Sequence, residues 1–188
     1  MTYRKIPYPL GQQVLQRFTP SEEALALILD EQPTDVSIEQ LIEHRLHNDL
    51  MQFIAHALPV REAIWWAART LDQRQDIWSP MQIQCIDTAK QWVQSPSEAL
   101  RRKSELFAQR LDLNCGPSWL AQAVFWNGAG SIVTPDLPVV LPDPFLYAKA
   151  VAGSINHAAA LPSWDKSEQY YQTATQLGLE IAKGESNQ

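Results

Sequence analysis

Glycine is scarce in this chain, with seven among 188 residues, and there are only two cysteines, Cys85 and Cys115. The glycines Gly128, Gly130 and Gly153 make neither a P-loop nor a dinucleotide fingerprint, because no strand precedes them and no Lys-Ser/Thr follows. The cysteines stand in no CxxC pattern and read as two reduced, partly buried thiols of a cytosolic protein. No run approaches the roughly 18 apolar residues of a spanning helix. The N-terminal MTYRKIPYPLGQQ has two early positive charges but no apolar stretch behind them, so a signal peptide is not expected. Positive charge is also in short supply. Fifteen basic residues face 21 acidic ones, a net charge of −6, and the longest basic run is Arg101-Arg102-Lys103. Nucleic-acid binding by phosphate neutralisation needs a concentrated basic face, which argues against that class.

Two residue types are abundant instead: seven tryptophans and thirteen prolines. Tryptophan favours a core or contact surface built of large flat groups, and proline stiffens connections. A length of 188 residues fits one domain on a prior of roughly 100–200 residues each. The chain is organised around FIAHALPVREAIWWAARTLD, residues 53–72. Pro59 suits a helix start, and Val60, Ile64, Ala67 and Leu71 recur on one helical face. Trp65 and Trp66 flank that stripe, so the helix over 60–71 is apolar on most of its circumference and belongs at the centre of a bundle.

Before it, residues 1–18 read as an extended arm lying over the body. A helix starts at Thr19-Pro20-Ser21 with Ala24, Leu25, Ile28 and Leu29 as its buried face. A second runs from Thr34 to about Asp49, and a third over 50–58, possibly continuous with it. After the central helix, Ser79-Pro80 and Ser95-Pro96-Ser97 open two more. In the second of these, Arg101, Arg102 and Lys103 are expected on the wet side, and Asn114 or Gly116 ends it in a left-handed conformation. Another helix covers Trp119 to Trp126. Residues 128–144, GAGSIVTPDLPVVLPDP, cannot be helical, yet are too apolar for a solvated linker. They read as an ordered Pro-rich strap, with Ile132, Leu137, Val139 and Leu141 in pockets between neighbouring helices. Helices from Phe145 and from Trp164 or Asp165 follow, and a frayed tail closes the chain at 185–188. The expectation is an all-α bundle of about eight helices over 19–184, with about 60–65% helix against a third in average proteins.

Chemistry is sparse. His44 and His47, beside Glu43, have a spacing able to hold a divalent ion, but the order is E-H-x-x-H and no third ligand is indicated. No metal or cofactor is expected. Cys115 precedes a helix start, a position that can lower a thiol's pKa, but its sole distant base is His157. His56, Arg61 and Glu62 gather near the turn at Pro59 and are the best acid–base corner the sequence offers. Arg61 is one turn from Trp65 and placed to stack on it.

Three stretches carry a resemblance: FIAHALPVREAIWWAA, WVQSPSEALRRKSELFAQ, and PSWLAQAVFWNGAGSIVTPDLPVVLPDPFLYAKAVAGSI with a closing LGLEIAKG. In order and spacing they resemble an uncharacterised family of small proteobacterial proteins found near type VI secretion genes. The match runs from about residue 50 to 184. This chain reads FWNGAGSI where the family has a FW-SGGS-like run, and residues 1–49 resemble nothing. The resemblance carries no catalytic residues. It implies an accessory role in secretion, as an adaptor or chaperone that binds an effector or spike component; with the composition, the expectation is a cytoplasmic, non-enzymatic binding module with no nucleic acid or membrane partner. Arg61, Glu62, Trp65, Trp119, Trp126 and Leu137 are the candidate partner contacts, since aromatic and arginine side chains carry much interface energy. The alternative is a small enzyme or immunity-type inhibitor using the His56, Arg61 and Glu62 corner.

Overall fold

In the computed structural model, residues 3–185 are described, and the chain is all-α with 66% helix. The helices in order are α1 Gly11–Leu15, α2 Glu22–Leu27, α3 Thr34–Glu43, α4 His47–Ala57, α5 Val60–Asp72, α6 Pro80–Gln94, α7 Glu98–Arg110, α8 Gly116–Phe125, α9 Leu146–Ala159 and α10 Ser167–Lys183. No strand forms among the described residues; Leu10 and Pro33 make one isolated bridge. No described helix is long and apolar enough to cross a membrane.

The central position of α5 follows from its sequence. It packs on α4, α6, α8, α9 and α10. Ala63, Ile64, Trp66, Ala67, Ala68 and Leu71 are all fully enclosed. Trp66 is the pivot. Its indole N–H donates to the Ala174 carbonyl at 2.7 Å, satisfying the one polar group that its burial removes from water. Opposite it is Gly178, where a Cβ would stand 3.0 Å from the indole. The α8–α9 pair is equally close. The Ser154 hydroxyl donates to the Gly116 carbonyl at 2.7 Å, and a Cβ on Gly116 would meet the Ser154 carbonyl oxygen at 2.8 Å.

Several boundaries differ from the sequence reading, each for a local reason. The N-terminal arm does lie on the body, with Lys5 N–H donating to the Ala182 carbonyl. It is interrupted, however, by α1, whose Val14 and Leu15 enter the core. In α2 only Ala24 is buried; of the rest of the expected face, Ile28 just past its end is buried, whereas Leu25 and Leu29 are exposed. The helix lasts six residues and Ile28 is already extended, so the periodicity that would place Leu29 inward has ended. Its cap is Ser21, whose hydroxyl accepts from Ala24 N–H, so Pro20 precedes the helix. The turn after α7 is left-handed at Asp112 and Leu113, not at Asn114 or Gly116. Arg45 is also left-handed (φ 55°), which breaks the chain between α3 and α4. Of the frayed tail, 186–188 lie outside the described residues. Gly184 caps α10 in the left-handed conformation and Glu185 N–H returns to the Glu180 carbonyl, a Schellman-type ending.

Candidate functional site

The strap at 128–144 is where the fold and the sequence reading part most clearly. Its first residues are fixed by two arginines of α7. Arg101, expected in water, is 2% exposed. Its guanidinium donates to the carbonyls of Phe125 at 3.0 Å and Ser131 at 2.9 Å, and is paired on its outer side with both oxygens of Glu98. It also lies over the Phe125 ring. One planar fork thus ties α7, the end of α8 and the start of the strap together, a geometry lysine cannot reproduce. Gly130 makes this approach possible, since a Cβ there would sit 2.6–2.7 Å from the Arg101 guanidinium. Arg102 continues the line, donating to the Val133 carbonyl at 2.9 Å and pairing with Glu98 and Glu105. These pairs hold the Glu98 carboxyl below its ordinary pKa, chiefly through its bond from Arg101.

Beyond Val133 the strap folds back on itself. Ile132 N–H donates to the Val140 carbonyl at 2.8 Å. The Ser131 hydroxyl oxygen accepts from both Val133 N–H and Val140 N–H. At the far end a Thr134-Pro135-Asp136-Leu137 turn closes with Leu137 N–H on the Thr134 carbonyl. Asn127 supports the near end, its amide donating to the Val124 carbonyl and its oxygen accepting from Ala129 N–H. The result is a fastened loop over 131–141.

Ile132, at the fastened start of the loop, is half-buried, but the apolar side chains beyond it do not enter pockets. Leu137 is 53% exposed, Val139 76%, Val140 46% and Leu141 58%. The reading of a docked apolar strap is therefore corrected. Polar bonds from Arg101, Arg102 and Ser131 to the backbone hold it, which frees its aliphatic side chains for the surface. At the far side of the strap, Pro142 is buried, and Phe145 turns left-handed (φ 68°) to begin α9. That conformation is costly for a bulky residue and is held here by contacts of the ring with His56 and the Arg17 guanidinium.

The residues of the acid–base corner turn to three different partners. His56 is fully enclosed, beside the Phe18 ring at 5.0 Å. Its Nδ1–H donates to the Gln52 carbonyl at 2.7 Å, which leaves Nε2 as a buried acceptor without a partner. Burial, with Lys149 and Arg17 nearby, pushes its pKa down to about 4. Arg61 donates through Nε and a terminal nitrogen to the Val93 carbonyl, fastening α5 to α6. Glu62 pairs with Lys5 of the N-terminal arm at 3.0 Å. The cation over the half-buried Trp65 is Arg69. Trp119 and Trp126 are half-buried in the bundle, Trp119 against Gly153.

The histidine pair is divided by the break at Arg45. His44 is at the end of α3 and donates to the Gln40 carbonyl; His47 begins α4, pairs with Glu168 at 3.0 Å and stacks flat on Tyr171. That pair lies in an open groove of about 600 Å³ along α10. Among the described residues no cluster of three or more His, Cys, Asp or Glu is arranged to hold a metal ion. Both thiols are buried: Cys115 caps α8 beside the Ser118 hydroxyl, and Cys85 donates to the Pro117 carbonyl, with burial raising its pKa.

No curated protein and no solved structure matches this chain. One family model does match, over residues 37–182, from within α3 to the last turn of α10. With α4 to α10 and most of α3 inside that match, and only α1 and α2 among the helices outside it, the chain belongs to a family of unknown function, DUF6931.

Proposed function

We propose that this chain is a non-enzymatic protein-binding module that meets its partner through the apolar surface of the 131–141 loop. One observation carries the reading. Four large aliphatic side chains, Leu137, Val139, Val140 and Leu141, are exposed within five positions, on a loop whose backbone is fastened by Arg101, Arg102 and Ser131. Isolated exposed aliphatics are ordinary on protein surfaces, but a contiguous group marks a contact. A loop already fixed in place loses little conformational entropy when it is covered. The biological setting is drawn from the resemblance of three sequence blocks to proteins found near type VI secretion genes. In that setting the chain acts as an adaptor or chaperone, and its partner is an effector or a spike component.

The test is affinity purification from the native host with three forms of the chain. The wild type and a control carrying Leu25→Asp and Leu29→Asp should retain a secretion component. A variant with Val139→Asp and Leu141→Asp should lose it while melting at the same temperature. Equal retention by all three forms refutes the loop as the contact. Retention of partners unrelated to secretion refutes the setting.

A further inference from the structure

The backbone of the loop carries information beyond its side chains. Val140 turns both its N–H and its C=O inward, to the Ser131 hydroxyl and to Ile132 N–H. Pro138 fixes its own φ, and Pro142 disfavours helical conformation at Leu141. Where such a chain is extended, successive residues direct their backbone groups to opposite sides, which would turn those of Val139 and Leu141 outward. Neither makes a backbone hydrogen bond to any described residue. Pro138, which is exposed, and Pro142, which is buried, stand in alternation with Val139 and Leu141, so their missing donors cost the outer edge nothing. Val139 and Leu141 also present their side chains two apart on one face. The segment is no strand, but beside the one backbone bond that ties Val140 to Ile132 it leaves two donors and two acceptors unpaired among the described residues.

Charge selects among the things that pair with such an edge. Within 128–144 the only charged residues are Asp136 and Asp143, one at each end of the edge, and both are exposed. The nearest bases are already matched, Arg101 by Glu98 and Arg102 by Glu98 and Glu105. A second copy of the chain would bring the same two aspartates and another net charge of −6 to the contact. A basic strand would be drawn to it.

We propose that the outer edge at Val139 and Leu141 takes one extended segment of a partner protein as an added strand, with aliphatic side chains at alternate positions and lysine or arginine flanking them. This rests on the partner-binding reading above and specifies its chemistry. Main-chain bonds supply affinity, and the exposed aliphatics with the two aspartates supply selectivity.

The full chain is panned against a phage-displayed library of random twelve-residue peptides, and the enriched peptides are synthesised and titrated by fluorescence anisotropy. The expected peptides alternate aliphatic and polar residues and carry lysine or arginine at their ends. Val139→Pro removes one outward N–H, and should weaken binding at least tenfold. Val139→Thr keeps that N–H and should stay within about threefold. Asp136→Asn with Asp143→Asn should weaken binding and flatten its salt dependence. If Val139→Pro binds as tightly as the wild type while Val139→Asp with Leu141→Asp does not bind, the contact is through side chains alone; strand addition is then wrong and the loop reading stands. If neither variant weakens binding, both readings fail. Acidic or helix-patterned peptides overturn the partner chemistry. A dimer seen by sedimentation and abolished by Val139→Pro assigns the edge to a second copy and overturns the proposal.

Discussion

Replacing Arg101 by methionine separates the two ways of holding the strap. Methionine fills much the same volume but donates no hydrogen bond. The carbonyl of Phe125 is buried and that of Ser131 partly so, and both lose their donor. Each unmatched carbonyl costs about 1–3 kcal/mol where water cannot reach it. Glu98 is 60% exposed and returns to water at little cost. Removing a buried cation also removes its own desolvation penalty, which offsets part of the loss. The net expectation is a destabilisation of about 3 kcal/mol, or a fall of about 6–12 °C in melting temperature for a chain of this size. Urea unfolding followed by tryptophan fluorescence measures the free energy. Limited proteolysis of the folded protein should at the same time show faster cleavage within 131–141. Arg101→Lys should behave nearly as badly, because an ammonium group cannot span Glu98 and two carbonyls at once. A change below about 1 kcal/mol, with the loop still resistant to protease, refutes the argument that this guanidinium fastens the strap.

Three further outcomes follow from the same geometry. Leu137→Ala should cost less than about 0.5 kcal/mol in urea unfolding, because its side chain is 53% exposed; a cost above 2 kcal/mol restores the docked strap. Trp66→Phe should cost about 2–4 kcal/mol, combining the cavity left beside Gly178 with the lost bond to Ala174; a near-neutral result would remove α5 from the centre of the account. His56 sets an acid dependence. Its folded pKa, about 4, lies below the ordinary 6.5, so the unfolded chain takes the proton first as pH falls. Its contribution is complete above pH 6.5 and is lost progressively down to about pH 4, a difference of about 3 kcal/mol. Unfolding free energies of wild type and His56→Gln should therefore converge over that window, and parallel curves contradict the buried neutral histidine.

The bundle was largely legible in the sequence, because its signals are local. Pro59, Ser79-Pro80 and Ser97-Glu98 mark helix starts by chemistry confined to one turn, and the apolar circumference of α5 reports its own burial. What misled were side chains whose partners are distant in sequence. Arg101 stands in a basic run that suggests a wet face, yet its acceptors are at 125 and 131. Gly130 offered the one available sign, since an isolated glycine often marks a close approach to something bulky. The strap's aliphatics suggested burial because apolar content says how much surface wants covering and not what covers it. Composition cannot separate a docked strap from a fastened loop with exposed side chains. His44 and His47, three apart in sequence, suggested one shared helix; a single left-handed residue at Arg45 sends the two to different helices.

The most direct measurement is site-specific photocrosslinking in the host, with a benzophenone amino acid at Val139 and, as a control, at Leu29. Both side chains are among the most exposed aliphatics of the chain, at 76% and 67%, but only the first belongs to the fastened loop. A discrete protein adduct from position 139, absent from position 29, is the predicted result. Equal adducts from both positions, or adducts from position 29 alone, would contradict the account.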